Sequence, residues 1–163
     1  MYQITTDAPS PDVLVREFHT TFDAPIATGP ATLDYPRVGM RMSLIEEEFC
    51  ELLDAFYGPA AGSHVRAAIV AAQALDEQVR DVVEVADAAG DLVYVLYGLT
   101  LESAMPLDAV VHEIHRSNMS KVGVDGTILR RADGKILKPK TYSPPDLVTV
   151  LKQHAAAPTR ISA

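Results

Sequence analysis

One stretch constrains the fold more than any other. Residues 82–103, "VVEVADAAGDLVYVLYGLTLES", carry apolar side chains around nearly the whole helical cylinder. That pattern predicts a helix buried on most sides, because a surface helix keeps one polar face. Its length approaches a membrane span, but Glu84, Asp87 and Asp91 in its first half argue against one. At 100° per residue, Asp87 lies about 60° from Glu84, and Asp91 about 20° from it. The three acids therefore share one stripe, and the helix holds no base. A carboxylate in apolar surroundings is costly unless a base or a metal ion compensates it.

A second acid cluster precedes it. "LIEEEFCELLDA" (44–55) places Glu46, Glu47, Glu48, Glu51 and Asp54 close together, with no Lys or Arg between residues 42 and 65. Like charges three or four residues apart on a helix repel. Two readings of these acids stand. They form a solvated face opposite Ile45, Phe49, Leu52 and Phe56, or they pair with the stripe on 82–103 as a carboxylate cage. For that stripe the plain alternative is a wet, frayed helix start. As a cage the acids suit a hard divalent cation, Mg²⁺ or Mn²⁺, which takes oxygen ligands and keeps sites for water and phosphate. Glu48 and Glu51 are one turn apart, as are Glu47 and Glu51, so one or two ions can be held and one Glu left to activate water.

The rest of the chain reads as helices with breaks. "DVLVREFHTTF" (12–22) has helical spacing at Val13, Leu14, Phe18 and Phe22, after Ser10-Pro11. Residues 23–36 form a Pro-, Gly- and Thr-rich loop. A helix from about Arg37 to Tyr57 stops at Gly58-Pro59. The Ala-rich stretch 60–81 is expected to be helical, with Ser63 as a cap. Met105-Pro106 ends the long helix, and helical spacing returns over 107–122. Residues 123–146 carry Asp-Gly turns, prolines and bases, and 145–155 fit a short last helix. The expected fold is all-α: one domain with a four-helix-bundle-like core over about 11–122 and an irregular basic C-terminal arm over about 123–163.

Composition removes other classes. The chain is 48% hydrophobic and 22% charged, neither disordered nor membrane-like in balance. A net charge of −8 disfavours nucleic acid or an anionic membrane as partner. A nucleotide's phosphates remain compatible with an acidic site when divalent cations lie between them. The single Cys50 permits no internal disulfide, fits a reducing cytoplasm, and is expected as a buried thiol. The N-terminus lacks a signal-peptide pattern. His112 and His115, three apart, could ligate a metal, but ordinary histidines fit the pattern better. "DGTILRRADGK" reads equally as an exposed hairpin or a phosphate-gripping arm. Neither acid helix contains the His of a di-iron Glu-x-x-His pattern.

The residues resemble the MazG-like all-α NTP pyrophosphohydrolases, which carry Glu-x-x-Glu on one helix and an acid pair on the next. Glu48-Phe-Cys-Glu51 matches the first half, with Glu47 before it. "DLVYVLYG" (91–98), "LDAVVHEIHRSNMSK" (107–121) and "RRADGKILKP" (130–139) look closest to the branch that prefers dUTP. The likeness runs from about Val15 to Leu147.

That resemblance implies cleavage of a nucleoside triphosphate between its α and β phosphates. It implies Mg²⁺ held by Glu48, Glu51 and Asp91, with Glu47 handling the attacking water. It implies nucleotide contacts from Asn118 and Lys121, phosphate contacts from Arg131, Lys135 and Lys138 as a lid, and a homodimer or dimer of dimers. Ala88 stands where the family motif has Glu, and a literal Glu-x-x-Asp occurs one turn earlier, at Glu84–Asp87. Anchoring on Asp91, which "LVYVLYG" follows directly, gives Asp87 the missing Glu's place. The alternatives are a catalytically weak nucleotide-binding bundle and a phosphoribosyl-ATP pyrophosphatase-like enzyme.

Overall fold

A computed structural model describes residues 8–132 and 134–156. Its architecture is an all-α bundle, with six helices among the described residues: α1 (Pro11–Thr21), α2 (Val38–Tyr57), α3 (Pro59–Gln73), α4 (Val82–Glu102), α5 (Leu107–Met119) and α6 (Leu147–Ala156). The chain divides into two compact units. One holds Gly29–Ala89, the other the residues up to Thr28 and from Gly90 onward. None of the described helices is long and apolar enough to cross a membrane.

The Gly29–Ala89 unit is built on a helical hairpin. Gly58, at φ 96°, ends α2 in a backbone region that costs other residues strain, and its N–H closes on the Asp54 carbonyl at 2.9 Å. Pro59 then opens α3, where a missing N–H costs nothing. The helices run antiparallel, with Glu46 opposite Gln73 and Asp54 opposite Arg66. Their approach is close: a Cβ on Gly62 would lie 2.0 Å from Asp54 Oδ1. Cys50 is fully buried, as its sequence context suggests.

Two expectations change in this unit. The third helix ends at Gln73 rather than near residue 81. Beyond it the Asp76 carboxylate accepts hydrogen bonds from the Gln78 backbone and from Arg80, and Gln78 adopts φ 60°. These local bonds compete with the helix for the backbone. Ser63 is not a cap. It lies inside α3 and donates to the Pro59 carbonyl at 3.0 Å, while Gly58 takes the cap position. The cap that does form belongs to α4. Asp81 Oδ1 accepts from the backbone N–H groups of Val83 and Glu84, in a D-x-x-E frame of capping-box type.

The other unit joins α1, α5 and α6 to the latter part of α4. Leu14 and Phe22 are buried from α1, and Phe18 stacks on Phe22 with ring centroids 4.3 Å apart. Tyr97 on α4 donates to Asp108 on α5 at 2.9 Å. The arm after α5 forms two small turns, bridged at Val122–Ile128 and Arg130–Ile136 with Gly126 and Gly134 at positive φ. The stretch "DGTILRRADGK" spans parts of both turns. Val122 belongs to this bridge, and so α5 stops at Met119. Arg130 donates to the Phe22 carbonyl and ties the arm to α1.

The sequence predicts burial on most sides for α4, whereas most of its described residues are exposed, as is the apolar face of α2. On α2, Ile45, Phe49, Leu52 and Phe56 are exposed, because α3 packs on the side of Cys50 and Asp54. On α4 only Thr100 is buried; Tyr94 is 80% and Leu101 77% exposed.

Candidate active site

The five acids of α2 are not equivalent. Gln73 of α3 donates to Glu46 at 2.8 Å, and Arg66 of α3 donates to Asp54 at 2.5 Å. The base that 42–65 lacks thus arrives from the next helix. Asp54 carries the charge of Arg66 on one oxygen, and its other oxygen, Oδ1, is buried without a hydrogen-bond partner. Arg66 is held above its ordinary pKa, first by that hydrogen bond and further by the charges of Asp54 and Glu51. Glu46 and Asp54 are therefore structural. Glu47, Glu48 and Glu51 lie exposed on α2, with Glu48 and Glu51 one turn apart.

On α4, Glu84, Asp87 and Asp91 are all exposed. Glu84 begins the helix on the Asp81 cap, Asp87 lies in the same compact unit as α2, and Asp91 lies just past the unit boundary at Gly90. Among the described residues no three His, Cys, Asp or Glu side chains gather closely enough to hold a metal ion. The donor chemistry of Glu47, Glu48 and Glu51, carboxylate oxygen throughout, fits Mg²⁺ or Mn²⁺.

The basic side of the predicted site is better defined. Lys121 Nζ donates to Asn118 Oδ1 at 2.7 Å, so the two residues act as a pair at the end of α5. Lys138 of the arm sits over the Tyr142 ring, 4.6 Å from its centroid. Ser117, buried beside Asn118, donates to the Tyr142 hydroxyl at 3.1 Å. The Tyr142 phenol is lowered from its ordinary pKa, first by the Ser117 hydrogen bond and then by the charges of Lys138 and Lys121. Arg131 and Lys135 frame the second arm turn, where the Arg131 N–H donates to the Lys135 carbonyl at 2.9 Å. Sequence reasoning missed Ser117 and Tyr142. The available signal was Ser117-Asn118 leading Lys121 by one turn on an otherwise amphipathic helix.

The histidines are structural. His112 bonds the Pro9 carbonyl at 3.0 Å, and His115 meets Glu17 at 3.2 Å. A cleft of about 750 Å³ lies beside His112, Tyr97, Asp108 and His154, and none of the predicted site residues lines it.

An acid-rich helix, a second acidic helix and a basic arm on an all-α frame define the class of MazG-like NTP pyrophosphohydrolases. The phosphoribosyl-ATP pyrophosphohydrolase family matches over residues 15–118, and the chain belongs to that family. A crystal structure described as an NTP pyrophosphohydrolase, from Exiguobacterium sp. 255-15, is similar at 26% identity with a TM-score of 0.61. The likeness covers 90% of this chain and 94% of that one. No curated protein matches.

Proposed function

We propose that this pyrophosphohydrolase hydrolyses dUTP or a related pyrimidine deoxynucleoside triphosphate, adding water to give the nucleoside monophosphate and pyrophosphate. The observation that carries this reading is the sorting of the α2 acids. Glu46 and Asp54 bond α3, and Glu47, Glu48 and Glu51 lie exposed on α2 at positions that resemble the family's motif. Glu48, Glu51, Asp87 and Asp91 are the residues that would hold Mg²⁺ or Mn²⁺. Bound there, a divalent cation would neutralise the triphosphate and the charge developing in phosphoryl transfer. Glu47 orients the attacking water and takes its proton. Asn118 and Lys121 meet the nucleotide, and Arg131, Lys135 and Lys138 meet its phosphates. The preference for dUTP rests on the likeness of "DLVYVLYG" and of the α5 and arm segments to that branch.

The functional unit in this reading is a homodimer or a dimer of dimers, in the cytoplasm. Its support is the exposed apolar surface of α2 and α4, larger than an isolated chain normally leaves in water. Sedimentation should show more than one copy per particle, and Leu101→Asp should shift it toward the monomer.

A second substrate is favoured by one observation, the match over residues 15–118 to phosphoribosyl-ATP pyrophosphohydrolase. One experiment separates the candidates. Canonical and deoxy nucleoside triphosphates, dUTP and phosphoribosyl-ATP are incubated with Mg²⁺ or Mn²⁺, and the products are resolved. Pyrophosphate with dUMP supports the proposal. Release of single phosphate with a diphosphate co-product refutes it, and cleavage of phosphoribosyl-ATP alone moves the assignment to that substrate.

A further inference from the structure

We propose that Tyr142 is a positioning residue that docks the C-terminal arm on α5 and holds Lys138 beside the Asn118–Lys121 pair, so that two ammonium groups grip the polyphosphate chain of one nucleotide. The inference rests on the function proposed above for its nucleotide, but its geometry stands on other residues.

Ser117 is 2% exposed, so its hydroxyl must find a partner inside the protein. It donates to the Tyr142 oxygen, which fixes the phenol against α5. The segment around Tyr142 is latched next to that contact. The Ser143 N–H donates to Ser120 Oγ at 2.9 Å, and Arg116 donates to Ser143 Oγ at 3.1 Å and to the Pro144 carbonyl at 2.9 Å. A tyrosine fixed in this way presents its ring face as a seat, and Lys138 occupies it. An ammonium over an aromatic face is attracted by the ring quadrupole. Lys121 follows Ser117 by four positions, which sets it on the side of α5 that Tyr142 meets, and Asn118 Oδ1 holds its ammonium at 2.7 Å.

Ammonium groups presented from one side suit an anion with several charged oxygens, since hydrogen bonds between ionised groups are the strong ones. A triphosphate chain has this form. The role of Tyr142 is to restrict where Lys138 can be, which lowers the ordering cost of binding without touching the reacting atoms.

The test uses the full chain and two probes. Inorganic tripolyphosphate, followed by calorimetry without divalent cation, reports the clamp even if no nucleotide is hydrolysed. Steady-state kinetics with the preferred triphosphate reports its use. Tyr142→Leu should weaken tripolyphosphate binding and raise KM by about three- to fivefold, the range of an exposed cation–π contact, with kcat within about twofold. Tyr142→Phe keeps the ring and should retain most of the affinity. Lys138→Met removes the phosphate contact itself and should weaken binding at least as much as Tyr142→Leu, and the double variant should be little worse than Lys138→Met alone, because Tyr142 acts through Lys138. The absorbance titration of wild type minus Tyr142→Phe isolates this phenol among the 6 tyrosines. Its midpoint should rise in Lys138→Met and on saturation with tripolyphosphate. Failure of wild type to bind tripolyphosphate, additive losses in the double variant, or an unmoved phenol midpoint would overturn the clamp. Absent hydrolysis with an intact binding pattern would overturn the function alone. Should Tyr142→Leu fail to fold, Lys138→Met and the phenol titration decide.

Discussion

Arg66 on α3 holds Asp54 on α2 at 2.5 Å, and Gly62 makes room for that carboxylate. The Asp54 oxygen facing Gly62 is the buried one without a hydrogen-bond partner. Alanine is a better helix former than glycine by roughly 0.5–1 kcal/mol, but here its methyl would overlap that oxygen. Gly62→Ala should therefore lower stability, by about 1–3 kcal/mol as for overpacked sites, when measured by denaturant unfolding. The same substitution in an Asp54→Ala background should be neutral or stabilising. Destabilisation of equal size in both backgrounds would show that the clash is not the cause.

The arm should be released by acid. Glu113 is lowered to about 2, first by its hydrogen bond from Arg116 and then by that from the Asp146 N–H. A depressed carboxyl stabilises the folded arrangement above its unfolded pKa, and that contribution is lost as pH falls through the folded value. The window therefore runs from about 4.5 down to about 2. The protection of α6 amides, taken relative to the free-chain exchange rate at the same pH, should fall across it before that of α2 and α3. Glu113→Gln should show at neutral pH the reduced α6 protection that the wild type reaches only in acid. Protection of α6 that stays constant down to pH 2 would contradict the assignment.

The helices were legible in the sequence wherever a breaker or cap was local. Pro11, Gly58-Pro59 and Met105-Pro106 mark boundaries that the structure keeps. The end of α3 was not, because Asp76, Gln78 and Arg80 look helical in periodicity and act through side-chain bonds instead. The side of α2 that meets α3 follows from the small residues of α3, which allow close approach at Asp54 and leave Ile45 and Phe49 exposed. At the candidate site, the surplus of acids was visible as a spacing. Their division was not, since Arg66 and Gln73 become partners only when α3 folds back. Tyr142 was invisible because Ser117 lies 25 positions away.

Glu47 precedes the Glu48–Glu51 pair and is assigned to the water. Glu47→Gln should lower kcat by roughly 10²–10⁴-fold, the usual range for loss of a general base. Binding of Mn²⁺ and of nucleotide should survive, because Glu48 and Glu51 remain. Calorimetry with Mn²⁺ checks the distinction. A loss of metal affinity as large as that in Glu48→Gln would move Glu47 into the ligand set.

The registers on α4 make opposite predictions. Glu84 and Asp91 are seven residues apart, about 10 Å along the axis at 1.5 Å per residue, so one ion cannot easily use both. The structure adds a reason to place Glu84 outside the ligand set: it sits in the first turn, where its charge favours the helix N-terminus that Asp81 caps. Asp91→Asn should abolish hydrolysis and weaken Mn²⁺ binding while leaving the metal-free fold intact. Asp87→Asn should have a smaller effect on the same affinity. Glu84→Gln should leave metal binding unchanged and cost only a few tenths of a kcal/mol in helix stability. EDTA should silence the wild type, and added Mg²⁺ or Mn²⁺ should restore it. An Asp91→Asn protein that still hydrolyses substrate, alongside a silent Glu84→Gln, would move the ligand set about one turn toward the N-terminus of α4.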